Sequence, residues 1–104
     1  MQVQVNTDNN ISGSEGLTRE VEDVVENTLG RFADRITRVE VHLNDVNADK
    51  PGDNDHRCMM EARLAGLQPI VVTHQAATLD QALDGAAKKL QRSLDSTLGK
   101  LNER

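Results

Sequence analysis

Apolar residues in this 104-residue chain recur first at every second position, then at every third or fourth, then at every second again, and finally at every third or fourth. This order of periods restricts the fold more than any other feature, because a strand repeats every 2 residues and a helix every 3.6. Val3 and Val5 alternate with Gln2, Gln4 and Asn6, which predicts a short strand over residues 2–6 with one apolar face. Asp8-Asn9-Asn10 and Ser12-Gly13-Ser14 read as turns. Ser14 is a helix N-cap candidate, and Ser12 with Glu15 fits a capping box. Leu17, Val21, Val24, Val25, Thr28, Leu29 and Phe32 then fall at spacings of three and four, which predicts an amphipathic helix over residues 15–33. Its outward positions include Glu20, Glu22, Asp23 and Glu26, most simply a solvated face whose early acids suit the helix dipole.

Period two returns over residues 38–45, with Val39, Val41 and Leu43 on one face and Arg38, Glu40 and His42 on the other. It holds again over 57–65, with Cys58, Met60, Ala62 and Leu64 inward and Arg57, Met59, Glu61 and Arg63 outward. Gly66-Leu67-Gln68-Pro69 marks a tight turn into a fourth strand over 70–74, and Pro69 suits a strand start or a sheet edge. Thr78 is the N-cap candidate for a second helix over 79–101, striped by Leu79, Leu83, Ala86, Leu90, Leu94, Thr97 and Leu101. Gly85 and Gly99 weaken that helix locally.

The element order is therefore β-α-β-β-β-α, read as a single domain over residues 1–104. The expected fold class is α+β: a two-layer sandwich in which a four-stranded sheet carries two helices on one face, with strands two to four as an antiparallel meander. The other sheet face then presents Arg38, Glu40, His42, Arg57, Glu61 and Arg63, a polar wall for water or a partner. Residues 44–56 form a loop rich in Asx, Pro and Gly. Its four aspartates lack the spacing and closing Glu of an EF-hand, so a hairpin loop is a simpler reading than a calcium site.

Composition removes several function classes. One Phe, no Trp and no Tyr argue against readers that stack bases on aromatic platforms. The formal charge of −5 argues against bulk attraction to nucleic acid or anionic membrane. No basic n-region with an apolar run opens the chain and no segment approaches bilayer-spanning length, so a cytoplasmic location with no membrane contact is expected. Cys58, the only cysteine, is expected as a small buried thiol, and His42, His56 and His74 lack zinc-ligand spacing. No GxSxG elbow or phosphate-cradling glycine loop is present. No catalytic residue, cofactor or metal is therefore expected, and the chain reads as a binder rather than an enzyme. The competing reading is a metal-linked or small-molecule site closed in space by His42 and His74 on neighbouring strands, against which solvent-facing histidines are the simpler alternative.

The net charge hides an asymmetry. Residues 1–55 hold 12 acidic and 5 basic side chains, a balance of −7, whereas residues 56–104 hold 5 acidic and 7 basic, a balance of +2. Within 88–104 the balance is +3, so the second helix is locally cationic where the first is anionic. Screening over about 8 Å lets such a patch act against the opposite net charge, although from the residues alone a solvated outer face is the simpler reading of Lys88 and Arg92.

Several strings, in this order and spacing, resemble the ribosome hibernation promoting factor family, also called ribosome-associated inhibitor, protein Y, ribosomal subunit interface protein or sigma-modulation protein. Met1-Gln2-Val3-Gln4-Val5 is similar to its first strand. Phe32-Ala33-Asp34-Arg35-Ile36 and Val39-Glu40-Val41-His42-Leu43 are similar to its helix exit and second strand. Thr78-Leu79-Asp80-Gln81-Ala82-Leu83-Asp84 leading to Lys89-Leu90-Gln91-Arg92-Ser93-Leu94 is similar to its second helix, with a polar cap, an apolar pair and a Lys-Leu-x-Arg-Gln-Leu string. The likeness spans essentially the whole chain and corresponds to the short form of the family.

The resemblance implies a non-enzymatic factor that binds the small ribosomal subunit near the decoding channel, blocks mRNA and tRNA binding, and acts in stress or stationary phase. It implies ribosomal RNA as the partner, not DNA. Lys89 and Arg92 match basic positions of the family's second helix and Lys100 a basic position beyond it. Lys88 adds charge beside them, and Arg31, Arg35 and Arg38, grouped by their charge near the end of the first helix, are candidates to extend the rRNA-binding patch. Asp80 stands where relatives often carry Tyr, Ser96, Thr97 and Leu98 stand where they carry basic residues, and the first helix is acidic where theirs tends to be basic. Each missing phosphate contact weakens binding and flattens its salt dependence by about 0.7–0.9 in log–log slope. The alternative is a module of the same fold that has turned to a protein partner or to self-association.

Overall fold

The computed structural model describes residues 1–8, 11, 13–46 and 56–102, with the backbone alone for 101 and 102. Its elements are β1 (Gln2–Thr7), α1 (Glu15–Leu29), a 3-10 turn (Gly30–Phe32), β2 (Ile36–Asp45), β3 (His56–Leu64), β4 (Ile70–Ala76) and α2 (Leu79–Asn102). The order is β-α-β-β-β-α, an α+β fold as expected. The sheet runs β1-β2-β3-β4, with β1 parallel to β2 and the remaining pairs antiparallel. A parallel neighbour requires a crossover rather than a hairpin, and α1 supplies it between β1 and β2. The expected loop 44–56 is shorter at both ends, because Asn44 and Asp45 belong to β2 and His56 to β3. Residues 47–55, the Asn9-Asn10 turn and the Ser12 capping box lie outside the described residues.

Both helices cover one sheet face. Val39, Val41 and Leu43 of β2 and Cys58, Met60, Ala62 and Leu64 of β3 are buried with Val21, Val25 and Leu29 of α1 and with Leu83, Leu90, Leu94 and Leu98 of α2. Fully burying a side chain of Leu or Val size contributes about 1.5–3 kcal/mol, so this layer supplies most of the drive to fold. The N-caps form as expected: Ser14 Oγ accepts from the Leu17 N–H at 3.1 Å and Thr78 Oγ1 from the Gln81 N–H at 3.1 Å.

The differences from the expected boundaries have local causes. The first helix stops at Leu29 and tightens into a 3-10 turn that buries Phe32, a common way to satisfy terminal carbonyls. β2 starts two residues before the expected position 38 because the register slips between Ile36 and Arg38. The extra residue, Thr37, lets Ile36 and Val39 share the buried face although three positions separate them. In α2 the buried stripe includes Ala82, Ala87 and Leu98, while Thr97 is only half-buried and the Leu101 side chain lies outside the described residues. The Leu64–Leu67 turn closes through the Leu67 N–H on the Leu64 carbonyl, with Gly66 at φ +76°, a left-handed backbone that favours glycine.

Candidate nucleic-acid interface

The buried stripe of α2 leaves two polar flanks that differ in sign. Helical spacing puts Asp80, Asp84, Gln91 and Asp95 on the flank toward α1. There Gln91 Nε2 donates to the Thr28 carbonyl at 3.1 Å and Asp95 accepts from Arg31. The same spacing puts Lys89, Arg92, Ser96 and Lys100, all exposed, on the opposite flank above β4. Lys89 Nζ donates to the Thr73 carbonyl at 2.9 Å, which anchors the ammonium on the sheet edge without neutralising it. No ion pair among the described residues holds Lys89, Arg92 or Lys100.

The structure divides the seven sequence-derived cations. Lys89, Arg92 and Lys100 form one stripe on α2. Lys88 is paired with Asp84 one helical turn away, Nζ to Oδ2 3.0 Å. Arg31 leaves the 3-10 turn, bonds both oxygens of Asp95 through one Nη, and stacks over the Phe32 ring 4.7 Å from its centre. Arg35 is exposed in the turn that follows, its N–H on the Phe32 carbonyl. Arg38 is not part of that group: it belongs to β2 and extends from the open sheet face, 3.7 Å from Glu40. Proximity in sequence grouped Arg31, Arg35 and Arg38, but the alternation of β2 sends Arg38 through to the far side of the sheet.

The open face is the expected polar wall, on which Arg38, Glu40, Glu61 and Arg63 pair with one another. Arg63 contacts Glu61 at 3.3 Å and Glu40 at 3.6 Å. Glu40 and Glu61 are direct cross-strand partners. Hydrogen bonding with the Glu40 carboxyl, and then Arg63, holds the Glu61 carboxyl below its ordinary value. On the other layer, α1 exposes Glu20, Asp23 and Glu26. Hydrogen bonding with Asp80 raises the Glu20 carboxyl above its ordinary value, with burial and the Asp80 charge adding to it.

The histidine site expected as a competing reading does not close. β3 lies between the strands of His42 and His74, so they are not neighbours. His42 pairs with Met59 and His74 with Cys58, consecutive residues of β3 that point to opposite faces. His74 instead lies against Gly85 of α2. Burial pushes the Cys58 thiol up to about 12, which leaves no thiolate at neutral pH. An open cleft of about 550 Å³ between β1 and the start of α1 is lined by Val5, Thr7, Leu17, Thr18, Arg19 and Glu22 among others.

Two features escaped the sequence reading: Ser96 continues the cationic flank, and Asp84 and Asp95 neutralise two of its neighbours. The Asp84–Lys88 spacing of four was visible in the sequence. The Arg31–Asp95 pair spans 64 positions and depends on how the helices pack.

A four-stranded mixed sheet layered with two helices, one of them cationic on its outer flank, defines a small α+β fold. The chain matches the sigma 54 modulation protein / S30EA ribosomal protein family over residues 4–102 and belongs to it. The same fold occurs in the Protein Y N-terminal domain of Thermus thermophilus, with a TM-score of 0.74, 20% identity, and coverage of 93% of this chain and 99% of that one. It also occurs in a ribosomal subunit interface protein from Coxiella burnetii, with a TM-score of 0.70, 16% identity, and coverage of 95% and 99%. A search of curated proteins gave no match.

Proposed function

We propose that this protein is a ribosome-associated hibernation factor. In this reading it binds the small ribosomal subunit through ribosomal RNA near the decoding channel and blocks mRNA and tRNA binding under stress or in stationary phase. It acts in the cytoplasm and catalyses no reaction. The observation that carries the reading is the family match over residues 4–102. The outer flank of α2 supports it, because Lys89, Arg92 and Lys100, with no ion-pair partner among the described residues, present charge at helical spacing, a surface suited to phosphates rather than bases. Phosphate contacts need no aromatic platform, so the shortage of aromatics is no obstacle. In this reading the exposed Arg35 adds a contact beyond the helices, while Arg31 and Lys88 contribute only if they exchange their aspartates for phosphates.

A second reading is a protein-binding or self-associating module. The acids exposed on α1 and the pairing of Arg31 and Lys88 favour it. Pull-down from nuclease-treated lysate separates the two: a stoichiometric protein partner that survives nuclease supports this second reading.

Sucrose-gradient co-sedimentation with small subunits at low and moderate salt tests the ribosome reading. The wild-type chain is expected in the subunit fractions at low salt, and a Lys89→Glu/Arg92→Glu variant is expected at the top. A wild-type chain that stays at the top in both salts, with no change in the double variant, removes the reading.

A further inference from the structure

Two cations that belong to the candidate RNA-binding set are already neutralised by carboxylates of α2. Arg31 is held by Asp95, with side chains 59% and 50% exposed, and Lys88 by Asp84, 60% and 54% exposed. Exposed ion pairs of this kind add little to stability, so holding the fold does not account for them. Both carboxylates occupy the flank facing α1, where Asp80 also lies beside Glu20. On the opposite flank Lys89 is bonded to a neutral carbonyl, and Arg92 and Lys100 have no carboxylate partner among the described residues.

We infer that Asp84 and Asp95 are specificity-determining residues that suppress polyanion binding along the α1–α2 seam and confine it to the outer flank of α2. The inference rests on the RNA-binding reading of that flank. A phosphate that approaches Arg31 or Lys88 must displace a carboxylate that stays tethered beside it. The screening length of about 8 Å at physiological salt exceeds the separation within either pair, so the phosphate meets almost no net charge there. On the outer flank it meets three positive charges in a row. An RNA whose phosphates follow that row keeps its contacts, whereas an unrelated polyanion that would use every exposed cation loses two. Discrimination thus comes from a repulsive element as well as an attractive one.

The test compares the full-length wild type with an Asp84→Asn/Asp95→Asn variant and with an Asp23→Asn/Glu26→Gln variant of the same net charge. Circular dichroism verifies that each is folded. Fluorescence anisotropy with a labelled RNA hairpin of unrelated sequence reads generic binding, and sedimentation with small subunits reads the proposed target. Removing the two aspartates is expected to raise hairpin affinity roughly tenfold at low salt and to steepen the salt slope by about 0.7–0.9 per released cation. The Asp23→Asn/Glu26→Gln variant is expected to change hairpin affinity by about twofold at most, because among the described residues these acids form no ion pair with either cation. Subunit affinity is expected to rise less than hairpin affinity, so that preference for the subunit falls. Unchanged hairpin affinity in Asp84→Asn/Asp95→Asn, or an equal gain in the charge-matched variant, overturns the inference. A hairpin gain in a protein whose wild type ignores small subunits upholds the inference and removes the ribosome reading.

Discussion

Two glycines in the same helix show how far a residue's role depends on its neighbours. Both read in the sequence as weak points of α2. A Cβ on Gly85 would lie 2.2–2.7 Å from three ring atoms of His74, whereas a Cβ on Gly99 would meet nothing within 4 Å. Gly85→Ala must displace the imidazole, so it is expected to cost about 1–2 kcal/mol despite the better helix propensity of alanine. Gly99→Ala is expected to stabilise by up to about 1 kcal/mol. Urea unfolding of the two variants checks both signs. The close approach at Gly85 was not legible, because it arises from the packing of α2 on β4 and not from any local pattern. The inward position of Cys58 was legible, since strand alternation alone assigns it. With its thiol pushed up to about 12 by burial, Cys58 is expected to react with a disulfide reagent only in denaturant. Rapid modification of the native protein contradicts that expectation.

At the scale of elements, the sequence revealed each helix and strand and the face it buries, because one apolar face per element leaves a clear period. It did not reveal the start of β2, where Thr37 interrupts the alternation, nor the neighbour of β1, since the alternation of Val3 and Val5 carries no information about pairing. Within the stripe of α2, Leu98 is buried and the expected Thr97 only half-buried. Leu90 lies at the centre of that stripe and is fully buried, so Leu90→Ala is expected to cost about 2–5 kcal/mol in denaturant unfolding. The seam between the helices gives a pH dependence of defined sign. Glu20 is raised from 4.5 by hydrogen bonding with Asp80, so the folded chain holds a proton that the unfolded chain has released. Between 4.5 and the raised value, this group therefore makes stability fall as pH rises. An NMR titration of the Glu20 carboxyl is expected to run above 4.5 in the wild type and to return toward it in Asp80→Asn. Identical titrations in the two proteins contradict the assignment.

Across the whole molecule, the charge asymmetry read from the sequence becomes a spatial one. Five of the acids of the first 55 residues lie on α1, and Lys89, Arg92 and Lys100 of the second half lie on the far flank of α2. The net charge of −5 therefore describes neither surface. The cation set was legible only in part, because sequence lists charges without their partners. Two of the seven are paired with aspartates of α2, and Arg38 extends from the open sheet face beside Glu40. What remains is the exposed Arg35 and the row Lys89, Arg92 and Lys100, and the central claim is that this row binds RNA phosphates. The most direct test is the salt dependence of binding to purified small subunits, for the wild type and for Lys89→Ala/Arg92→Ala. Loss of two phosphate contacts is expected to weaken binding and to flatten the log–log slope by about 1.4–1.8. Equal affinity and equal slope in the two proteins would contradict the claim.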